Sequence, residues 1–207
     1  MSTNMSETIT TAAIDLFFTQ GYFATSISAI ARACGIQKAS MYYHFPSKEA
    51  LLFSIMTTTM DNLMVFLQGN LAGRSQVEER MRAAVRSHVC FHLNRQKETF
   101  IASSELRGLS PDHLQAIVAK RDNYESIFQE LIQTGIREQV FSPGDVRILS
   151  YAILTLCTAG ASWFKPEGRL SVDAIAEIYE AFVLNGLQAG RMPAPQAAAT
   201  AVRLKRS

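Results

Sequence analysis

The stretch Thr25–Glu49, TSISAIARACGIQKASMYYHFPSKE, most constrains what this chain can become. Ile27, Ile30, Ala31 and Cys34 recur at helical spacing, so a first short helix has one apolar face. Gly35 interrupts it, because glycine turns left-handed without a steric penalty. The next short helix, about Lys38 to His44, is polar and aromatic. A helix meant only for a core would not expose Gln37, Lys38, Ser40, Tyr42, Tyr43 and His44 together; one lying in a DNA groove would. Pro46-Ser47 stops it, and Ser47 caps a further helix with Glu49 in the first turn.

The rest of the chain reads as all-α. A helix over about Ser6 to Gln20 aligns Ile9, Ala12, Ala13, Leu16 and Phe17, and Gly21-Tyr22 ends it. Thr25 or Ser26 caps the next. The helix opened by Ser47 runs to about Gln68, long enough to leave a small N-terminal unit and join it to a second, larger one. Leu71-Ala72-Gly73 marks a boundary loop. Val77 to Asn94 comes next, with the stripe Val77, Met81, Ala84, Val85, His88, Phe91, His92, and then a short helix over Glu98 to Leu106. Ser110-Pro111 is a cap followed by proline at the first helical position. The helix it opens has the stripe Leu114, Ile117, Val118, Arg121, Tyr124, Phe128, Leu131, Ile132. Ser142-Pro143-x-Asp145 repeats that signal for a helix to about Phe164, and Ser171 caps the last, to about Leu187. The expected units are residues 3–63, residues 72–190 and a basic tail, 191–207, whose low complexity predicts disorder.

Charge is uneven along the 207 residues. Residues 1–50 carry three bases and three acids, residues 51–190 thirteen bases and fifteen acids, and the tail four bases and no acid. A neutral N-terminal unit predicts modest nonspecific affinity for nucleic acid. Only 18% of residues are charged, so more surface than usual is expected to be buried between subunits or around an apolar ligand. Cys34, Cys90 and Cys157 are widely separated and form no CxxC pair, which predicts a reducing, cytoplasmic setting. No signal peptide is visible. The uncharged run between Arg147 and Lys165 is shorter than a usual membrane span and is expected to be a helix buried on most sides, with no membrane partner. Its small residues Ala152, Ala159, Gly160 and Ala161 allow close helix approach. With the amphipathic helix after it (Ile175, Ile178, Tyr179, Phe182, Val183, Leu187), it would form a four-helix homodimer interface suited to two-fold DNA sites.

The N-terminal fifty residues resemble the DNA-binding domain of TetR-type (TetR/AcrR) transcriptional regulators. The resemblance lies in Ile9-xx-Ala12-Ala13-xx-Leu16-Phe17-xxx-Gly21-Tyr22-xx-Thr25-Ser26-Ile27-xx-Ile30-Ala31, in Gly35-Ile36, and in Tyr42-Tyr43-His44-Phe45-x-Ser47-Lys48-Glu49-xx-Leu52. It implies a three-helix helix-turn-helix head on a helical ligand-binding body that dimerises through its last two helices. It also implies a palindromic double-stranded DNA operator and a small-molecule effector that changes the separation of the heads. In the body, Arg121-Asp122-x-Tyr124-xxx-Phe128, Phe141-x-Pro143-x-Asp145 and Trp163-Phe164-x-Pro166-x-Gly168-Arg169-Leu170 resemble a subgroup regulating lipid, steroid and aromatic-acid breakdown. Several members sense acyl-CoA thioesters, which makes such a thioester a candidate effector. One departure is Met1–Thr8, which has no base where many members carry a basic arm.

The side chains themselves support a DNA contact. Gln37 and Lys38 stand where a recognition helix begins; lysine donates to guanine and glutamine pairs with adenine. Ala39 lets the helix sit deep, and Ser40 stands beside it. Tyr42, Tyr43 and His44 carry donors for phosphates. Lys48 at one helix N-terminus, and Thr25 or Ser26 at another, could each hold a phosphate. Core packing is the competing reading for Tyr43 and is preferred for Phe45.

In the body, Arg121 on an apolar stripe needs a partner: an internal carboxylate such as Glu105, or an anionic ligand. His88 and His92, four apart, would suit a metal only with further ligands, and no HExxH or Cys cluster supplies them; no metal or cofactor is expected. Met81, Phe91, Phe100, Tyr124, Phe128, Trp163 and Phe164 are candidates for an apolar pocket beside His88, His92 and Arg121. The rival readings are a small helical metal-dependent enzyme using His88, His92, Glu105 or Cys90, and an interaction module that has lost DNA binding. The first lacks a nucleophile elbow, triad spacing and phosphate loop.

Overall fold

The computed structural model describes residues 5–189; the basic tail lies outside the described residues. Among the described residues the chain folds into α1 (Met5–Gln20), α2 (Ile27–Ala33), α3 (Lys38–His44), α4 (Lys48–Leu71), α5 (Val77–Asn94), α6 (Gln96–Ser104), a 3-10 turn (Leu106–Gly108), α7 (Pro111–Arg137), α8 (Val146–Trp163) and α9 (Val172–Gln188). No strand occurs among them.

The caps explain most boundaries. Ser26, Ser47, Ser110 and Ser171 each accept a hydrogen bond from the backbone N–H three residues on, satisfying a donor the helix cannot. Gly21 and Gly73 end α1 and α4 with positive φ, and Gly35 sits at φ +67° between α2 and α3. One cap differs from expectation. Asp145, not Ser142, opens α8, accepting from the N–H groups of Arg147 and Ile148. A carboxylate reaches two donors at once, whereas Ser142 is tied to the end of α9 through the Leu187 carbonyl.

Two hydrophobic cores form. The first gathers Ile9, Ala13, Phe17, Ile30, Met41, Leu51, Leu52, Ile55 and Met56 from α1–α4, and is closed by Ile101 of α6 and Ile117 of α7. The second joins Leu63 and Leu67 of α4 to α5, α7, α8 and α9. Helix α4 therefore crosses from one core to the other between Met56 and Leu63. On the body side, α5 runs through the centre, and Arg86 on it lies 2.7 Å from the buried Glu180 of α9. Val118, expected on the α7 stripe, is exposed instead.

Helix α8 departs from its expected burial. Only Ser150, Ile153, Cys157 and Gly160 are buried, on one face. Ile148, Tyr151, Leu156 and Trp163 are exposed, as are Ile178 and Phe182 of α9. By length and composition α4 and α8 are each long and apolar enough to cross a membrane, a test that core helices of water-soluble proteins also pass.

The 3-10 corner touches the first core closely. A Cβ on Gly108 would lie 2.6 Å from Tyr22 Cε1 and 2.9 Å from Leu52 Cδ2. Both neighbours are buried, so neither can move freely aside. Gly108→Ala is expected to cost roughly 1–3 kcal/mol by overpacking, measured as a lowered urea midpoint; an unchanged midpoint would show that the corner yields.

Candidate DNA interface and effector cavity

Helix α3 buries only Met41. Around it Gln37, Lys38, Ala39, Ser40, Tyr42 and Tyr43 are exposed together, with Ser26 at the start of α2 nearby in sequence and also exposed. Tyr43 is 88% exposed, which excludes the core-packing alternative for that ring. Phe45 is half-buried against the first core. His44 is half-buried, its Nδ1 3.1 Å from Ser6 Oγ, and the Tyr43 ring meets it edge-on.

Two expected DNA contacts turn inward. Thr25 is buried, and its hydroxyl donates to the Gly21 carbonyl at 2.8 Å. It thus closes the loop after α1, and Ser26 alone caps α2. Lys48 Nζ donates to the carbonyls of Tyr22 and Thr25, each at 2.8 Å, and lies 4.3 Å from the Tyr22 ring centroid. It ties α4 to the same loop. Both pairings span more than twenty residues and leave no local trace in sequence.

The sequence reading also missed the neighbouring Glu49. Its Oε1 accepts from the Ser110 N–H and lies 2.6 Å from His113 Nδ1. Burial raises the Glu49 pKa, but the Ser110 and His113 hydrogen bonds outweigh this and hold it below the usual value. The His113 ring stacks on Phe53 at 3.8 Å. Farther along, Asp15 of α1 meets Lys97 of α6 at 2.6 Å, and Phe18 meets Phe100 edge-on. Head and body are therefore joined at several points besides α4.

In the body, two cavities share the walls of Thr99, Ser103 and Thr158. The inner one, about 210 Å³, lies among α4–α8 and opens to the surface, and is lined by Thr59, Met60, Leu63, His88, His92, Arg121, Tyr124 and Glu125 among others. The outer one, about 620 Å³, lies against Phe18, Gln96, Lys97, Phe100, Ala159 and Ala161. Four of the expected ligand residues, His88, His92, Arg121 and Tyr124, thus converge, and Phe100 stands in the adjoining cavity. The others do not join them. Met81 and Phe128 are wholly buried in the second core. Phe91 and Phe164 border separate surface grooves, and Trp163 is exposed at the end of α8. An apolar stripe does not distinguish core from cavity wall, which is why these were read together. The additional lining residues Thr99, Thr158 and Phe18 carried no sequence signal of their own.

The inner wall is polar and desolvated. His88 Nδ1 lies 2.9 Å from the Tyr124 hydroxyl and its Nε2 2.8 Å from Thr158 Oγ1. His92 Nδ1 lies 2.9 Å from Thr99 Oγ1, while its buried Nε2 has no hydrogen-bond partner. Arg121 donates to the Ala102 carbonyl at 2.6 Å and not to Glu105. Burial lowers the pKa values of His88, Arg121 and His92; for His92, Arg121 adds to the effect and the value falls to about 4. Among the described residues no group of three or more His, Cys, Asp and Glu side chains could hold a metal ion.

A short helix bearing exposed polar and aromatic side chains, tied through α4 to a helical body with a mainly apolar cavity, defines a ligand-responsive class of helix-turn-helix regulator. The family model for "Bacterial regulatory proteins, tetR family" matches residues 9–55, and that for "Tetracyclin repressor-like, C-terminal domain" matches residues 74–187. The chain belongs to the TetR family of bacterial regulators and is a DNA-binding transcriptional regulator. It is 25% identical over 185 residues to the HTH-type transcriptional repressor KstR2 of Rhodococcus jostii RHA1, covering 84% of this chain and 87% of that one. A tetR-family regulatory protein of Rhodococcus RHA1 shares the fold, with TM-score 0.85 and 24% identity over 90% of this chain and 98% of that one. AibR, solved with isovaleryl coenzyme A and operator DNA, matches with TM-score 0.78 and 27% identity over 89% of this chain and 98% of its own.

The neutral histidines give stability a definite pH dependence. An unfolded histidine takes up a proton near 6.5, but folded His92 does so only near 4. Between these values protons favour the unfolded chain, so stability is complete above the upper value and falls as pH drops toward the lower. Between about pH 7 and pH 5 the loss from His92 is roughly 2 kcal/mol. Urea midpoints across this range should fall for the parent protein, and the fall should be shallower for His92→Phe.

Proposed function

We propose that this chain is a repressor that binds a palindromic operator as a homodimer and is released by a small apolar or acyl-CoA-like effector. The carrying observation is the exposed α3 surface of Gln37, Lys38, Ala39, Ser40, Tyr42 and Tyr43. Gln37, Lys38 and Ala39 are assigned to base edges, and Ser26, Ser40, Tyr42, Tyr43 and the half-buried His44 to backbone positioning. Residues 3–63 form the head and residues 72–190 the body. The exposed apolar faces of α8 and α9 pair with those of a second copy, which sets the two heads at a fixed spacing. The effector occupies the body cavities. The regulators KstR2 and AibR support repression and an acyl thioester respectively. The chain acts in the cytoplasm and performs no catalysis.

The test uses labelled DNA from upstream of the gene, titrated at several salt concentrations. Sequence-dependent binding that weakens steeply with salt is expected; equal affinity for scrambled DNA would defeat the reading. Lys38→Ala should cost about 1–3 kcal/mol on the preferred site and relax the preference at one base position. A second experiment adds acyl-CoA thioesters to the preformed complex, where release is expected; if none of a chain-length series releases the DNA, the thioester effector is wrong.

Phe182→Glu places a charge on the unpaired α9 face. Light scattering should then report monomers, and operator affinity should fall with the loss of the second head; a dimer of unchanged mass would place the interface elsewhere.

A further inference from the structure

Two groups in the inner cavity are left incompletely satisfied by the protein. Arg121 carries a permanent charge and five N–H donors, and the one hydrogen bond it makes is to a neutral carbonyl, that of Ala102. No carboxylate among the described residues pairs with it; Glu125 on the same wall is instead engaged by Ser150 and Gln129. His92 is buried, with Nε2 free of any partner. The Thr99 hydroxyl can donate to Nδ1, which makes Nε2 the protonated nitrogen, a buried and unused donor on a side chain that, like Arg121, lines the inner cavity. A half-buried cation sharing a cavity with an unused donor matches an oxygen anion better than any neutral group. The adjoining outer cavity, with Phe18, Phe100 and Ala159, offers an apolar body its place.

We propose that Arg121 and His92 form a carboxylate-reading pair, so that the effector enters the inner cavity by a carboxylate and leaves its apolar chain in the outer one. This rests on the assignment of the cavities to the effector. The carboxylate can arrive on a free monocarboxylic acid or at the far end of a dicarboxylic acid held as a coenzyme A monothioester. Octanoyl-CoA has the chain without the carboxylate.

The test is calorimetric titration of the full-length protein with octanoate, octanamide, octanedioic acid mono-CoA thioester and octanoyl-CoA. At least one carboxylate-bearing compound should bind about ten-fold or more tightly than its carboxylate-free counterpart. Octanoate ahead of octanamide identifies the free acid, and the dioic thioester ahead of octanoyl-CoA identifies the conjugate. Arg121→Met should erase that preference, bringing the carboxylate-bearing compound down to the affinity of its carboxylate-free counterpart, and Arg121→Lys should restore part of it. Circular-dichroism melts and operator binding of each variant establish that it is folded. Equal binding with and without the carboxylate, no binding by either carboxylate, or a preference that survives Arg121→Met, would overturn the pair. Parallel operator-release measurements separate the two claims. Arg121-dependent binding without release would remove the effector role and keep the pair. Release by a carboxylate-bearing compound that is equally effective on Arg121→Met would keep the effector role and remove the pair.

Discussion

Helix α4 serves two cores at once. Leu51, Leu52, Ile55 and Met56 complete the core beneath the recognition helix, and Leu63 and Leu67 belong to the core of the body. The helix is uninterrupted between them, with no proline or glycine before Gly69. A rod fixed by buried apolar residues at both ends transmits tilt from one end to the other, because close-packed interiors resist gradual deformation. Its first turn is held harder still. Lys48 binds the loop after α1, and Glu49 binds the start of α7, so consecutive residues join α4 to elements on opposite sides of the head–body junction.

That arrangement changes the meaning of residues that look like phosphate donors. Lys48 has an exposed neighbour in Ser47 and stands at a helix N-terminus, yet its ammonium is spent on two carbonyls. The proposed recognition surface thereby loses one of its few cations. On the proposed DNA contact, Arg32 and Lys38 are the exposed cations left near α3, and hydroxyls and backbone N–H groups, which position a protein but add little counterion release, supply the rest. In the proposed dimer, pairing of two heads supplies affinity that a single neutral head lacks, and the exposed apolar residues of α8 and α9 are the surface assigned to that pairing.

Much of this was legible in the sequence, and the failures have a common cause. Serine caps, glycine turns and helical stripes are local, and they located the helices to within a few residues; α5 matched at both ends. The exposed face of α3 was legible because polar and aromatic residues filled a helix too short to bury them. Burial partners were not legible. The α8 stripe announced apolar surface but not whose core it would face, and half of it remains outside this chain. Thr25, Lys48 and Arg121 were each assigned by residue type, and each found a backbone carbonyl instead. A carbonyl acceptor carries no sequence signature, since every residue has one.

The position of the inner cavity gives its occupant a direct route to the head. Thr59, Met60 and Leu63 form part of its wall and lie on α4 just beyond the residues that fill the head core. Phe18, on α1 of the head, borders the outer cavity. An occupant of both cavities would therefore touch the head at one point and its supporting rod at another. Contact alone changes nothing, however: occupancy shifts head spacing only by the difference in affinity between the two arrangements. The uncommitted donors of Arg121 and His92 favour whichever arrangement lets an anion reach both. The Asp15–Lys97 and Glu49–His113 pairs lie on the surfaces where head meets body, so any change of head spacing must accommodate or break them.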